Sequence, residues 1–191
     1  MSRRAFLAGA AAGATAMWAY GYLRSRFYDD DDEISSDESS SDEEEPSPKS
    51  VGAVRDDYDG DEQYKMLLIF NQELYKLSSK TGELKSVKMS PGKAAAQSGH
   101  ATLGAYRRGM RRCPNAVRDW LRIGQMKITV KCPTVQELLE LQEKCAAAGL
   151  NCYLIRDAGH TEIEPGSRTV LAVGPAPASA MDPLTRHLKP Y

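Results

Sequence analysis

The chain of 191 residues predicts an α/β domain behind a long N-terminal appendage of different composition. Three observations predict this. From Tyr64 onward, four short runs rich in apolar and β-branched residues alternate with stretches whose apolar residues recur at helical spacing. The charge is split: residues 1–63 carry 6 Lys and Arg against 16 Asp and Glu, a net −10, whereas residues 64–191 carry 19 against 10, a net +9. The appendage, finally, divides into one uncharged run and one acidic stretch too poor in large apolar residues to bury a core. A domain this basic suits a polyanionic partner such as RNA, DNA or anionic lipid, the plainer alternative being a solvated face.

Residues 5–23 are uncharged, with Arg3 and Arg4 before them, Arg24 and Arg26 after them, and Trp18, Tyr20 and Tyr22 near the end. That run is long enough to cross a bilayer, which predicts a transmembrane helix inside a membrane anchor over residues 1–28; a cleaved signal peptide is the rival reading. Mild hydrophobicity between basic flanks suits an anchor of the mitochondrial outer membrane, the domain facing the cytosol; another intracellular membrane, or the cytosol, is the alternative. Residues 29–63 are acidic and serine-rich, an expected disordered linker serving as a spacer or a phosphorylated tether.

Within the domain, residues 65–70 (KMLLIF) form a nearly continuous apolar run, as a buried central strand requires. Residues 75–88 are polar and predict a long loop or small excursion. Ser90 suits a helix cap and Pro91 the first helical position; Gly109, after Arg107 and Arg108, marks the expected end of that helix. A second helix starts near Pro114, with Ala116, Val117, Trp120, Leu121 and Ile123 spaced for one buried face. Residues 125–132 alternate as a strand, and Pro133-Thr134 opens a third helix that closes at Ala148-Gly149. Residues 151–155 are the third strand, so this strand–helix–strand unit predicts a parallel pair. A loop over 157–167 carries Pro165-Gly166, a turn signature. Residues 169–173 are the fourth strand, and Pro175 and Pro177 precede a last short helix around 181–187.

At 100° per residue, Lys93, Gln97, His100 and Gly104 share a narrow arc of the first helix, with Lys93 beside the positive end of its dipole. Such residues are either scaffold or a site. Asp157 leaves the third strand, where sites form in α/β sheets. It either caps that turn or, with the first and third strands parallel, converges with Lys93, His100 and Thr161. Nucleophile elbows, zincin motifs and phosphate-cradling loops are missing from the sequence, and Cys113, Cys132, Cys145 and Cys152 lack metal-ligand spacing with the histidines, so free thiols are expected. The groups on hand are those of acid–base and electrostatic catalysis, suited to hydrolysing an activated ester.

The ordered segments Gly92-Lys93-Ala94-Ala95-Ala96-Gln97 with His100-Ala101, Gly124-Gln125-Met126-Lys127 with Val130-Lys131, Asp157-Ala158-Gly159 with Thr161-Glu162-Ile163 and Pro165-Gly166, Val173-Gly174-Pro175-Ala176-Pro177, and His187-Leu188-Lys189 together resemble the type 2, archaeal and eukaryotic, peptidyl-tRNA hydrolases across residues 64–191. The resemblance implies a mixed four-stranded sheet flanked by helices on both faces, a homodimer, no metal or other cofactor, and cleavage of the ester between a peptide and the tRNA 3′ end. It places Lys93, Gln97, His100, Asp157 and Thr161 at active-site positions. On that basis Asp157 is expected to orient water and Lys93 to stabilise the oxyanion or a terminal phosphate, while His100 and Thr161 position the substrate. Gln97, Gln125, Lys127, Lys131 and Lys88 are assigned to substrate binding. The chain departs from the family pattern at one place. An Arg-x-Asp-Leu strand end that normally runs straight into a Lys-Met-Gly-Lys-Gly-Lys turn is replaced by Asn71-Gln72-Glu73-Leu74, about a dozen extra residues, and Lys88-Met89-Ser90-Pro91-Gly92-Lys93. The second reading is a membrane-tethered, non-catalytic adaptor that keeps the fold and recruits protein partners.

Overall fold

The computed structural model describes residues 53–58, 62–158 and 163–191. The run 5–23, most of the acidic linker, and Thr161 lie outside the described residues.

β1 (Tyr64–Asn71) is the central strand. Its residues are buried except Lys65, because helices cover both faces and leave no room for polar alternation. β2 (Leu74–Leu77) and β3 (Leu84–Val87) follow, then α1 (Pro91–Arg112), α2 (Pro114–Arg122), β4 (Lys127–Cys132), α3 (Val135–Ala147), β5 (Cys152–Arg156), β6 (Arg168–Pro177), α4 (Ala178–Thr185) and β7 (Lys189–Pro190). The main sheet has the order β5-β6-β1-β4-β7. β1 runs parallel to β4 and antiparallel to β6, and β6 runs antiparallel to β5. β1, β4 and β5 therefore point the same way and end at one edge of the sheet. α1 and α2 pack on the face of Met66, Leu68 and Phe70, and α3 and α4 on the face of Leu67 and Ile69.

The mixed α/β class and the helices on both faces match the sequence reading, but several expectations are corrected. The sheet has five strands among the described residues, because the short C-terminal β7 adds to the edge of β4. β4 and β5 are not partners, since β1 and β6 lie between them. The expected loop over 75–88 holds an antiparallel hairpin, β2 with β3. α1 does not stop at Gly109 but continues to Arg112. That glycine is needed for close packing, since a Cβ there would lie 2.8 Å from Val117 Cγ2 of α2. In α2, Ala116, Val117 and Trp120 are buried as expected, whereas Leu121 and Ile123 are exposed. Pro175 and Pro177 lie within β6 rather than beyond it. No helix among the described residues is long and apolar enough to cross a membrane.

Part of the expected linker is ordered. The Asp56 carboxylate accepts hydrogen bonds from Asn115 N (3.1 Å) and Ala116 N (2.8 Å), capping α2 where Cys113 offers no side-chain cap. The Arg55 backbone N–H donates to Gly149 O (2.8 Å), and Val54 and Tyr58 pack against the core. All four cysteines are buried thiols. Burial, with the Asp56 carboxylate nearby, pushes the Cys113 thiol up to about 12.

Candidate active site

Ser90 begins the site. Its Oγ accepts the backbone N–H of Lys93 (3.2 Å), and Pro91 fills the first turn without wasting a donor. This capped turn starts α1 at the sheet edge where β1, β4 and β5 end. Asp157 follows β5 at the same edge. Its backbone is held by the turn after it: Asp157 N donates to Ser167 O (2.9 Å), and Gly166 N donates to Asp157 O (2.7 Å). The side chains meet there. Lys93 Nζ forms an ion pair with Asp157 Oδ2, the lysine side chain 15% and the aspartate side chain 2% exposed.

Gln97, one turn beyond Lys93, is buried beneath this pair. Its Nε2 donates to Asp157 Oδ2 (2.8 Å), while its Oε1 accepts from Thr169 Oγ1 (2.6 Å). Thr169 thereby fixes which way the amide points, leaving the NH₂ toward the carboxylate. Thr169 is the member of this cluster that sequence reasoning missed. A threonine at a strand start carries no signal beyond β propensity, and only its complete burial shows that its hydroxyl needs a partner. Changing Thr169 to Val keeps the shape and removes the hydroxyl, leaving Gln97 Oε1 unpaired. The expected result is a loss of about 1–3 kcal/mol of stability by chemical denaturation.

Lys93, Gln97 and Asp157 are thus brought together. His100 is not in this set: it is exposed, seven residues and about 10 Å further along α1. Lys88 is exposed five residues before Lys93, and Lys131 is exposed near the end of β4. Gln125 and Lys127 stand where β4 begins, at the opposite edge of the sheet; Lys127 is about 13 Å along the strand from Lys131. There they line a groove of about 520 Å³ between α1, α2, β1 and β4, which also takes in Leu68, Trp120 and, on α1, Ser98 and Gly99 beside Gln97 and His100. Lys127 Nζ donates to Gln125 O (2.6 Å) and lies over the Trp120 ring, 4.9 Å from its centre. Among the described residues, no three His, Cys, Asp or Glu side chains are grouped to hold a metal ion.

The fold and site define a class: an α/β domain with a buried carboxylate–amine–amide cluster at the carboxyl edge of a mixed sheet. Comparison with known proteins makes this particular. The family model for peptidyl-tRNA hydrolase PTH2 matches residues 64–191, and the chain belongs to that family. Over 129 residues it is 42% identical to "Peptidyl-tRNA hydrolase 2, mitochondrial" of Mus musculus and 41% identical to the Homo sapiens protein of the same name, covering 68% of this chain. It spans just under two-thirds of those relatives, 64% and 65% of their lengths. "Peptidyl-tRNA hydrolase" of Methanocaldococcus jannaschii is 46% identical over 101 residues, 53% of this chain and 88% of that protein.

Proposed function

We propose that the protein hydrolyses peptidyl-tRNA, with Lys93 and Asp157 at the reaction centre. The observation that carries this is the ion pair between them, held by Gln97, at the edge of the sheet where β1, β4 and β5 end. The Asp157 carboxylate orients a water molecule toward the ester carbonyl carbon. Charge developing on the carbonyl oxygen is met by the Lys93 ammonium and by the positive end of α1. Collapse of the tetrahedral intermediate breaks the bond to the 3′ ribose oxygen, which leaves with a proton as free tRNA, and the peptide keeps the new carboxyl group. His100 and Thr161 position the substrate. Lys88 and Lys131 suit phosphates near the ester; Gln125 and Lys127 suit a contact one strand-length away. The intact cluster favours the enzyme over an adaptor that merely keeps the fold.

Labelled peptidyl-tRNA incubated with the protein is expected to yield free tRNA and peptide. Release no faster than in protein-free buffer would refute the reading.

The anchor and the assembly belong to the same reading. Residues 5–23 tether the domain to the mitochondrial outer membrane, facing the cytosol; a diffuse signal from residues 1–28 fused to a fluorescent protein would remove that assignment. The homodimer is supported by the exposed apolar residues Leu103 and Leu121 lining the groove, and a monomer mass by light scattering at micromolar concentration would count against it.

A further inference from the structure

The hairpin β2–β3 interrupts the family pattern between the central strand and the catalytic helix, and the reaction centre does not use it. Between Tyr75 and Lys88 it carries Lys76, Lys80, Lys85 and Lys88 against the single acid Glu83, a net +3, and all four lysines are exposed. The register sets Lys76 directly opposite Lys85. The two lysine side chains therefore stand side by side across the ladder, with Cβ atoms about 5 Å apart, and an isolated two-stranded hairpin has little stability to spare. The turn is nonetheless well closed: Ser78 N donates to Glu83 O (2.9 Å) and Gly82 N to Ser78 O (2.8 Å).

Nor is the hairpin loosely hung. Glu164, in the loop that follows Asp157, donates its backbone N–H to Tyr75 O (2.9 Å), and its carboxylate accepts from Leu77 N (3.1 Å). At the base, Leu74 pairs with Val87 and packs in the same core as Ala94 of α1 and Ile163 of that loop. Side chains alternate along a strand, so Lys76 and Lys85 share the face of Leu74 and Val87, further out. The lysine pair therefore projects beyond the core on the side of the catalytic helix and loop.

We infer that this hairpin is a rigid basic arm that holds the phosphate backbone of the tRNA acceptor end beside the Lys93–Asp157 pair. The inference rests on peptidyl-tRNA being the substrate. A phosphate seated between Lys76 and Lys85 meets both ammonium groups, and Lys80 at the turn extends the contact along the strand.

The test compares the full chain with the variants K76Q/K80Q/K85Q and K76R/K80R/K85R. Binding of deacylated tRNA is read by fluorescence anisotropy from about 50 to 200 mM salt, and kcat and KM are measured on peptidyl-tRNA. For the Gln variant, the slope of log affinity against log salt is expected to fall by about 2 and binding to weaken about tenfold near 100 mM salt. KM is expected to rise with it, kcat to stay within about twofold, and the Arg variant to restore both affinity and slope. An unchanged slope and affinity would overturn the proposal. So would a fall in kcat at unchanged affinity, which would make the hairpin only a support for the catalytic loop. If the unaltered chain binds tRNA with the hairpin-dependent slope yet releases no peptide, the hydrolase reading fails and the arm's contact with nucleic acid stands.

Discussion

Asp157→Asn is expected to lower kcat on peptidyl-tRNA by about 10²–10⁴-fold, the range that a positioned acid–base group contributes. The substitution is nearly isosteric at a residue that is 4% exposed, so the shape of the packing is preserved. The donors to the carboxylate include Lys93 Nζ and Gln97 Nε2, both on Oδ2. An asparagine offers one oxygen and one NH₂ in that place. If the oxygen faces Lys93 and Gln97, the ammonium loses its counter-charge; if the NH₂ does, three donors face one another. Either way an unsatisfied group sits in a buried cluster, at a cost of about 1–3 kcal/mol in stability. The reading is checked by steady-state kinetics beside thermal denaturation at the assay temperature. A variant that remains folded and retains its kcat would remove Asp157 from the reaction.

The central part of this site was legible in the chain because it depends on direction and spacing. Ser90 and Pro91 mark where α1 starts, and helical periodicity puts Lys93 and Gln97 on one side. Asp157 leaves a strand that runs the same way as β1, so both reach one edge. The expected pairing of β4 with β5 was wrong, yet its directional consequence held, because the antiparallel β6 lies between β5 and β1 and restores the common direction. What escaped were features set by contacts between residues distant in the sequence. Asp56 caps a helix that begins 58 positions later, and nothing local distinguishes it from the other acids of its stretch. Gly109 looks like a helix stop, but it is small because α2 presses on it. The hairpin strands are four residues each, with one lysine apiece and only Leu74 fully buried, so their apolar pattern is too short to separate from a polar loop. Gln125 and Lys127 fit the family motif in sequence, but motif order gives no distance, and the fold places them a strand-length from the Lys93–Asp157 pair.

Lys93→Met tests the electrostatic half of the mechanism. Methionine keeps most of the aliphatic stem and removes the charge, so the expected loss is about 10²–10³-fold in kcat, comparable to deleting one oxyanion donor elsewhere. The lysine side chain is mostly shielded, which excludes much of the water that would otherwise replace its contribution. The ground-state ester carries no charge at its carbonyl oxygen, so the loss should fall on kcat more than on KM. A KM effect alone would instead assign Lys93 to holding a phosphate. Because Lys93 and Asp157 touch, their losses are not independent. Once Asp157→Asn has disabled water activation, the ammonium has far less transition-state charge to meet. The double variant is therefore expected to be about as slow as the slower single variant, as groups that act as a unit behave. Losses that multiply would mean that the two residues serve separate steps, and their contact would then be an ion pair of the fold rather than a reaction centre.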